Sequence, residues 1–357
     1  MELFTLDTLA YPIIQAPLAG GASTPALAAA VSSAGGLGFL AAGYKTIDAF
    51  RADVQQLRSQ VAPDVAFGVN VFARPGGDPE VDVAGYAETL RGDAEQAGTA
   101  LGEPRWDDDG YAGKLELLCR ERVPIVSFTF GCPDGADVER LHRAGSAVWI
   151  TVTTGEEAFA ARAAGADALI VQGVEAGGHR GGFDDLAPGD VGLLALLQLV
   201  RSGVGDAVPL VATGGIATGR AVAAVLVAGA AAAQLGTAFL LCPEAGTTPA
   251  HRIAIASGSA PTALTRAFTG RTARGIVNRF LREHSPDAPS AYPQVHHLTA
   301  PLRGAARRSG DVDGLHLWAG QAYQLTKPTP AAQLVVRLAE QAQAALAEAL
   351  IRLGQPR

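Results

Sequence analysis

Cysteine is scarce in this sequence. Cys119, Cys132 and Cys242 are the only three in 357 residues, they lie far apart, and no CxxC pair occurs. A disulfide framework and a cysteine-based zinc site are thereby excluded, and a reducing, cytoplasmic setting fits best. Blocks of Lys and Arg are also missing: 28 basic residues face 35 acidic ones, for a formal net charge of −7. Without a basic patch there is no footprint for a phosphate backbone, so nucleic acid is excluded as a partner. A single phosphate could still be held by backbone N–H groups at a helix start, which requires no net positive charge. The first residues, through Pro17, include Glu2 and no basic cluster, which argues against a signal peptide. Residues 221–241 superficially resemble a membrane span, but Gly229, Gln234 and Gly236 interrupt them and their alanines are only weakly hydrophobic. A buried helix followed by a buried strand accounts for that stretch, so no membrane partner is expected.

Glycine, by contrast, is abundant at 43 residues, and 48% of the chain is hydrophobic, ample for a large core. Short apolar runs alternate with Ala-rich helical stretches, the pattern of a parallel sheet covered by helices. Candidate strands fall at residues 12–16, 38–42, 66–71, 125–130, 148–152, 168–172, 210–213 and 232–237. Eight such strands, each followed by a helix, predict an α/β fold of the TIM (β/α)8 barrel type, with an open doubly wound sheet as the alternative. Three helix boundaries are well marked. Ser23-Thr24-Pro25 supplies a cap and a first-turn proline, with Gly35-Gly36 as the stop. Thr154 to Glu157 reads as a capping box closed at Gly165, and Thr218 caps a helix that ends at Gly229. Two stretches break the repeat: residues 74–113, with PGGDP and PRWDDD, and about 243–320, with TALTRAFTGRTARG and the Pro/His loop SPDAPSAYPQVHH. Loops on the C-terminal face of a barrel are where extra lobes grow. The expected organisation is a barrel of residues 1–242 and 321–357, with an insertion at about 74–113, and a smaller lid-like domain of residues 243–320. Residues 331–353 read as an amphipathic helix without chemistry.

The densest chemistry lies in QGVEAGGHRGG, residues 172–182, directly after the sixth strand. Its glycines let backbone approach a flat ligand or a phosphate without Cβ clashes. His179 in that flexible loop is the candidate catalytic residue, since imidazole can take a proton, or hydrogen-bond a developing anion, near neutral pH. A solvent-exposed loop histidine is the plainer alternative, and the surrounding EAGGHRGG weighs against it. VATGGIAT, after the seventh strand, and QLGT, ending the eighth, occupy the two places where barrels recurrently bind phosphate. Gly214 and Gly215 fit the first half of such a site; Gly236 and the Thr237 hydroxyl fit the second. Either motif alone could be a turn. Asn70, ending the third strand, and Gln172, ending the sixth, are amides in apolar strands. They need partners, either core backbone groups or the edge of a bound ring. Cys132 has no activating neighbour and reads as a structural thiol. His296-His297 lacks a carboxylate at helical spacing and reads as a loop pair, so no metal site is expected. His142, His251, His284 and His316 stand in uninformative contexts.

PIIQAPLAGG, GVNVF, EAGGHRGG, VATGGIAT and QLGTAFL together resemble the nitronate monooxygenase family, formerly called 2-nitropropane dioxygenases, over nearly the whole chain. YAETLRGDAEQAGTALGEPRWDDDGYAGKLELL and WAGQAY are similar to its class I branch. The resemblance implies FMN, bound without covalent attachment and contacted at Asn70, Gln172, Gly177, Gly215 and the run Gln234, Leu235, Gly236 and Thr237. It places the backbone around Ala16 and Leu18 near the ring; Leu18 stands where the family often has methionine, which keeps an apolar contact. His179 matches the histidine assigned as catalytic in the family. Tyr323 and Lys327, four apart after WAGQ, resemble class I substrate-pocket residues. The implied reaction oxidises small-molecule alkyl nitronates, such as propionate 3-nitronate, with O2 to carbonyl compounds and nitrite, in a monomer or homodimer. EAGGHRG is shared with FMN-dependent enoyl and quinone reductases, so an NAD(P)H-dependent reductase is the competing expectation, and a non-catalytic flavin-binding protein is another. The IMP dehydrogenase group is disfavoured, because its loop-borne cysteine nucleophile has no counterpart after the sixth strand.

Overall fold

The computed structural model describes residues 3–74 and 81–354; Met1, Glu2 and the PGGDP motif lie outside the described residues. Eight parallel strands form one sheet: β1 (Ile13–Gln15), β2 (Phe39–Ala41), β3 (Gly68–Phe72), β4 (Ile125–Thr129), β5 (Ala147–Val152), β6 (Ala168–Gln172), β8 (Leu210–Thr213) and β9 (Ala232–Leu235). A second, antiparallel sheet joins β7 (Gly178–His179), β10 (Thr262–Thr265) and β11 (Ala273–Ile276). The large sheet runs in the order β1-β9-β8-β6-β5-β4-β3-β2, and its ends meet. The Gln15 N–H donates to the Leu37 carbonyl at 2.9 Å, and the Leu37 N–H donates to Ile13 at 3.0 Å. The sheet therefore closes into the (β/α)8 barrel that the eight apolar runs predict, and the open doubly wound alternative is excluded.

The strands are mainly apolar because both of their faces are covered, with polar residues kept for their middles and C-terminal ends. Inward-facing Ile14, Phe39, Ile125, Trp149, Ile170 and Val211 fill the barrel, with Ala168 and Ala232 making room for the two large rings. Phe4 from the N-terminal segment lies 6.3 Å from the Trp149 ring and covers this floor. On the outside, helices pack their apolar faces against the strands; Leu27, Val31, Phe50, Val54 and Leu57 are fully buried there. The predicted caps hold. Thr24 accepts from Leu27 at the start of the helix Pro25–Ser33, and Thr218 accepts from Ala221 at the start of Gly219–Val227. At Gly155–Ala163 only half of the expected capping box forms. Thr154 accepts from the Glu157 N–H, but the Glu157 carboxylate accepts from the N–H groups of Thr153 and Phe183 instead of closing back on Thr154. Glu157 thus ties the helix start to the loop beyond His179. Residues 221–241 form the buried helix and strand expected of them, and among the described residues no helix is long and apolar enough to cross a membrane.

The two stretches outside the barrel repeat are more regular than the sequence reading expects. TALTRAFTGRTARG is the β10–β11 hairpin, and the Pro/His loop runs directly into a helix, Gln294–Ser309. Tyr86, Leu90 and Ala94 of the first stretch share a buried cluster with Phe268, Phe280, Val295, Leu298 and Leu302 of the second. Pro301 lies inside the helix Gln294–Ser309 and cannot donate to the preceding turn. The Gly102 N–H reaches in from the first stretch and donates to the Leu298 carbonyl at 2.8 Å. Only glycine fits there, since a Cβ on residue 102 would lie 2.1 Å from the His297 carbonyl oxygen. Gly102→Ala is expected to lower stability by about 1–3 kcal/mol, measured by denaturant unfolding, through forced separation of these two segments.

Candidate active site

A cavity of about 600 Å³ opens at the C-terminal ends of the barrel strands. Every strand end brings chemistry to it. From β1 and the turn after it come Ala16 and Leu18; from β3, Asn70; from β6 and its loop, Gln172, Gly177 and His179. From β8 come Gly214 and Gly215, and from β9 come Gln234, Leu235, Gly236 and Thr237, with Tyr323 closing one side. Lys327 does not join them. It is exposed, because the chain makes only a short 3₁₀ turn at Tyr323–Leu325 and then extends at Thr326, so spacing of four does not put the two residues on one face. Tyr323 itself is buried, and its hydroxyl is engaged with the backbone of Ala260, donating to the carbonyl at 2.5 Å. That phenol is an anchor for the wall.

Backbone conformation explains the glycines. Gly214 and Gly215 take φ of +121° and +66°, values that disfavour any other residue. Gly177 admits close chain approach, since a Cβ there would lie 2.4 Å from the Gly320 nitrogen. The amides divide in role. Asn70 lies in the middle of β3, and its amide nitrogen donates to the Ser127 and Thr129 hydroxyls, each at 2.9 Å. Gln172 holds the loop that follows it: its nitrogen donates to the His179 carbonyl, and its oxygen accepts from Gly181 N–H at 2.9 Å and Arg180 at 3.0 Å. Gln234 differs from both. It is buried, and its side-chain nitrogen has no hydrogen-bond partner among the described residues.

His179 is not on a flexible loop. It pairs with Ala273 as part of the small sheet, so the hairpin β10–β11 fixes its backbone. Arg180, 1% exposed, anchors the same strand by donating to Gln172, the Gly173 carbonyl at 2.7 Å and the Pro188 carbonyl. The imidazole stands among Phe130, Trp318 and Tyr292, with ring centroids at 5.7, 5.5 and 6.1 Å. Its Nε2 is 2.8 Å from the Thr269 hydroxyl. Burial, reinforced by the Arg271 charge, lowers its pKa to about 3, so it is neutral at physiological pH. Burial likewise pushes His296 to about 2 and His251 to about 4, and holds His316 well below its ordinary value.

The outer part of the cavity comes from residues the sequence reading passed over. His296 stacks on Tyr44 at 4.4 Å, and Arg303, further along the same face of that helix, lines the cavity at 8% exposure. His296 and His297 sit in a helix, and His297 faces Asp107 at 3.5 Å. His251 and His316 line the cavity, whereas His142 and His284 are paired with Asp167 and Asp93 elsewhere. Among the described residues no group of His, Cys, Asp and Glu is arranged to hold a metal. Cys132 is half-buried, and burial raises its thiol pKa to about 11, which keeps it protonated.

With the geometry in place, comparison with known proteins is direct. The family model described as nitronate monooxygenase matches residues 3–341. A nitronate monooxygenase of Pseudomonas aeruginosa is 41% identical over 92% of this chain and 95% of its own. One from Paraburkholderia phytofirmans is 39% identical over 92% of this chain and 91% of its own. Among solved structures, a nitroalkane oxidase from Streptomyces ansochromogenes superposes with a TM-score of 0.92 at 52% identity, covering 96% of this chain and 99% of that one. FabK from Thermotoga maritima gives 0.74 at 26% identity, with 96% of each chain covered. The match runs through the barrel and through the segments above its mouth alike: this chain is an oxidoreductase that belongs to the nitronate monooxygenase family.

Proposed function

We propose that the protein is an FMN-dependent nitronate monooxygenase that oxidises alkyl nitronates with O2 to carbonyl compounds and nitrite, with His179 as its catalytic residue. The observation that carries this reading is a neutral, rigidly held imidazole overlooking a cavity whose described wall contains Lys45, Arg303, Arg307 and four histidines and no Asp or Glu. Such a wall suits anions, both a cofactor phosphate and a nitronate. The residues present fit FMN. The buried Gln234 nitrogen needs an acceptor that none of the described residues supplies. Gly214, Gly215, Gly236 and Thr237 line the cavity together at the ends of β8 and β9, where backbone N–H groups would meet the phosphate. Asn70, Gln172, Gly177, Leu235 and the Ala16 to Leu18 segment would flank the rest. FMN, when bound, supplies the electron-accepting ring. We read residues 243–320, together with about 74–113, as the lid over this mouth, and the molecule as a cytoplasmic monomer or homodimer.

Thr269 sets which imidazole nitrogen is available. We assign the tautomer in which His179 Nε2–H donates to the Thr269 hydroxyl at 2.8 Å while that hydroxyl donates to the Arg271 carbonyl at 3.2 Å. Nδ1 then carries the lone pair, with no hydrogen-bond partner among the described residues. A neutral nitroalkane would lose its α-proton to Nδ1, while a preformed nitronate needs no such step. Charge pairing between a nitronate and this imidazole is not part of the reading, because the ring is uncharged.

His179→Asn is expected to keep bound flavin absorbance and to lower turnover of a neutral nitroalkane by about 10²–10⁴-fold, with a smaller loss for the nitronate. Unchanged nitroalkane kinetics would remove the base role. The depressed pKa gives a second expectation. An imidazole with a folded-state pKa of about 3 stays neutral as pH falls through the ordinary histidine range. The kcat/KM for a preformed nitronate should therefore be flat between about pH 5 and 8, and a histidine-like limb in that profile would count against it. The reductase alternative is tested in the same preparation by mixing with NADH without oxygen: little flavin bleaching is expected, and rapid bleaching would favour the reductase.

A further inference from the structure

Among the described residues, Arg303 is a buried guanidinium without a carboxylate partner. Nε donates to the Thr299 hydroxyl at 3.1 Å, and one terminal nitrogen donates to the His296 carbonyl at 2.7 Å and approaches His296 Nδ1 at 3.3 Å. The other terminal nitrogen makes no hydrogen bond to a described residue. The remaining cations of the wall are accounted for. Lys45 is paired with Asp53, and Arg307 is exposed to solvent. The nearby buried Arg271 lies outside the cavity wall, donates to the carbonyls of Arg180 and Gly182, and covers the Phe130 face at 4.1 Å. A buried charge without a counter-ion is costly, and the cost is recovered only when an anion arrives. Burial lowers the Arg303 pKa to about 10, which leaves it charged at neutral pH.

Building on the function proposed above, we infer that Arg303 is the anion-binding residue of the substrate chamber, taking a planar two-oxygen anion of the substrate. Its unengaged terminal nitrogen offers charged N–H donors to the oxygens of such an anion, a group common to a nitronate and a carboxylate. Arg303 stands beside His296, whose ring is stacked on Tyr44 and 6.4 Å from that of Tyr292, and Tyr292 in turn faces His179. The proton-accepting group and the charge-holding group are thus separate side chains on one wall. His179 treats the neutral substrate, and Arg303 holds the anion.

The test compares Arg303→Gln and Arg303→Lys with the native flavin-loaded enzyme on three substrates: 1-nitropropane, propyl-1-nitronate and propionate 3-nitronate. If Arg303 meets the nitronate group, KM rises about 10- to 100-fold for both anions in Arg303→Gln and stays level for 1-nitropropane. If it meets the carboxylate, the rise is confined to propionate 3-nitronate. The lysine variant, which keeps the charge and loses the planar head anchored on Thr299 and His296, should fall between; it also carries the comparison should the glutamine variant fail to fold. Calorimetric titration with butanoate, a non-oxidisable planar anion, reads the same site without turnover and should weaken in step. Unchanged KM and unchanged butanoate affinity overturn the inference, as do equal losses on neutral and anionic substrates. Native enzyme that binds butanoate through Arg303 yet consumes no nitronate would refute the proposed activity alone.

Discussion

The structure above the barrel depends on one short antiparallel pairing, that of Gly178–His179 with Ala273–Arg274. Two residues of strand are weak alone, and here they are reinforced from below. Gln172 at the end of β6 bonds to the His179 carbonyl and to the Gly181 N–H beyond it, and Arg180 joins the same knot with almost no exposure. The result couples three things: the rim of the barrel, the hairpin of the upper lobe and the direction of an imidazole. Thr269 lies in that hairpin turn, so the partner that selects the ring nitrogen arrives with the strand that fixes the backbone.

Burial then decides the electrostatics. Four histidines line the cavity, and burial depresses all four, so their rings act as shaped, uncharged surfaces. Positive charge is left to arginine, which keeps its proton under the same desolvation. The absence of Asp and Glu among the described residues of the wall follows the same logic, since a carboxylate there would neutralise the guanidinium that a ligand must find available. Division of labour between neutral imidazole and charged guanidinium thus comes from how each group responds to loss of water.

Legibility in the sequence tracked the length of the signal. The barrel strands were readable because each is an apolar run bounded by turn residues, and Thr24, Thr154 and Thr218 mark helix starts by local chemistry that needs no tertiary context. The positions of Gly214, Gly215, Gln234 and Gly236 around one cavity were legible because a closed barrel brings every strand end to one mouth. The pairing of His179 was not, since two residues are too few to show a period of two. Arg303 was hidden for another reason. Proline at 293 and 301 and the flanking SPDAPSAYP segment argue for a loop, whereas Pro301 lies inside the helix Gln294–Ser309, against which Gly102 packs with an N–H to the Leu298 carbonyl. Lys327, paired with Tyr323 by resemblance alone, lies exposed outside the cavity wall, where the chain extends beyond its 3₁₀ turn.

The floor of the barrel carries a consequence for traffic. Trp149 and Phe39 fill the tube and Phe4 stoppers its far end, so passage along the axis is blocked. Whatever enters at the rim must depart at the rim, and arrivals and departures share a doorway. A molecule lodged deep against the strand ends can exchange only after whatever lies nearer the exit has gone. Retention of a resident group through many cycles is then a property of queue order as much as of affinity.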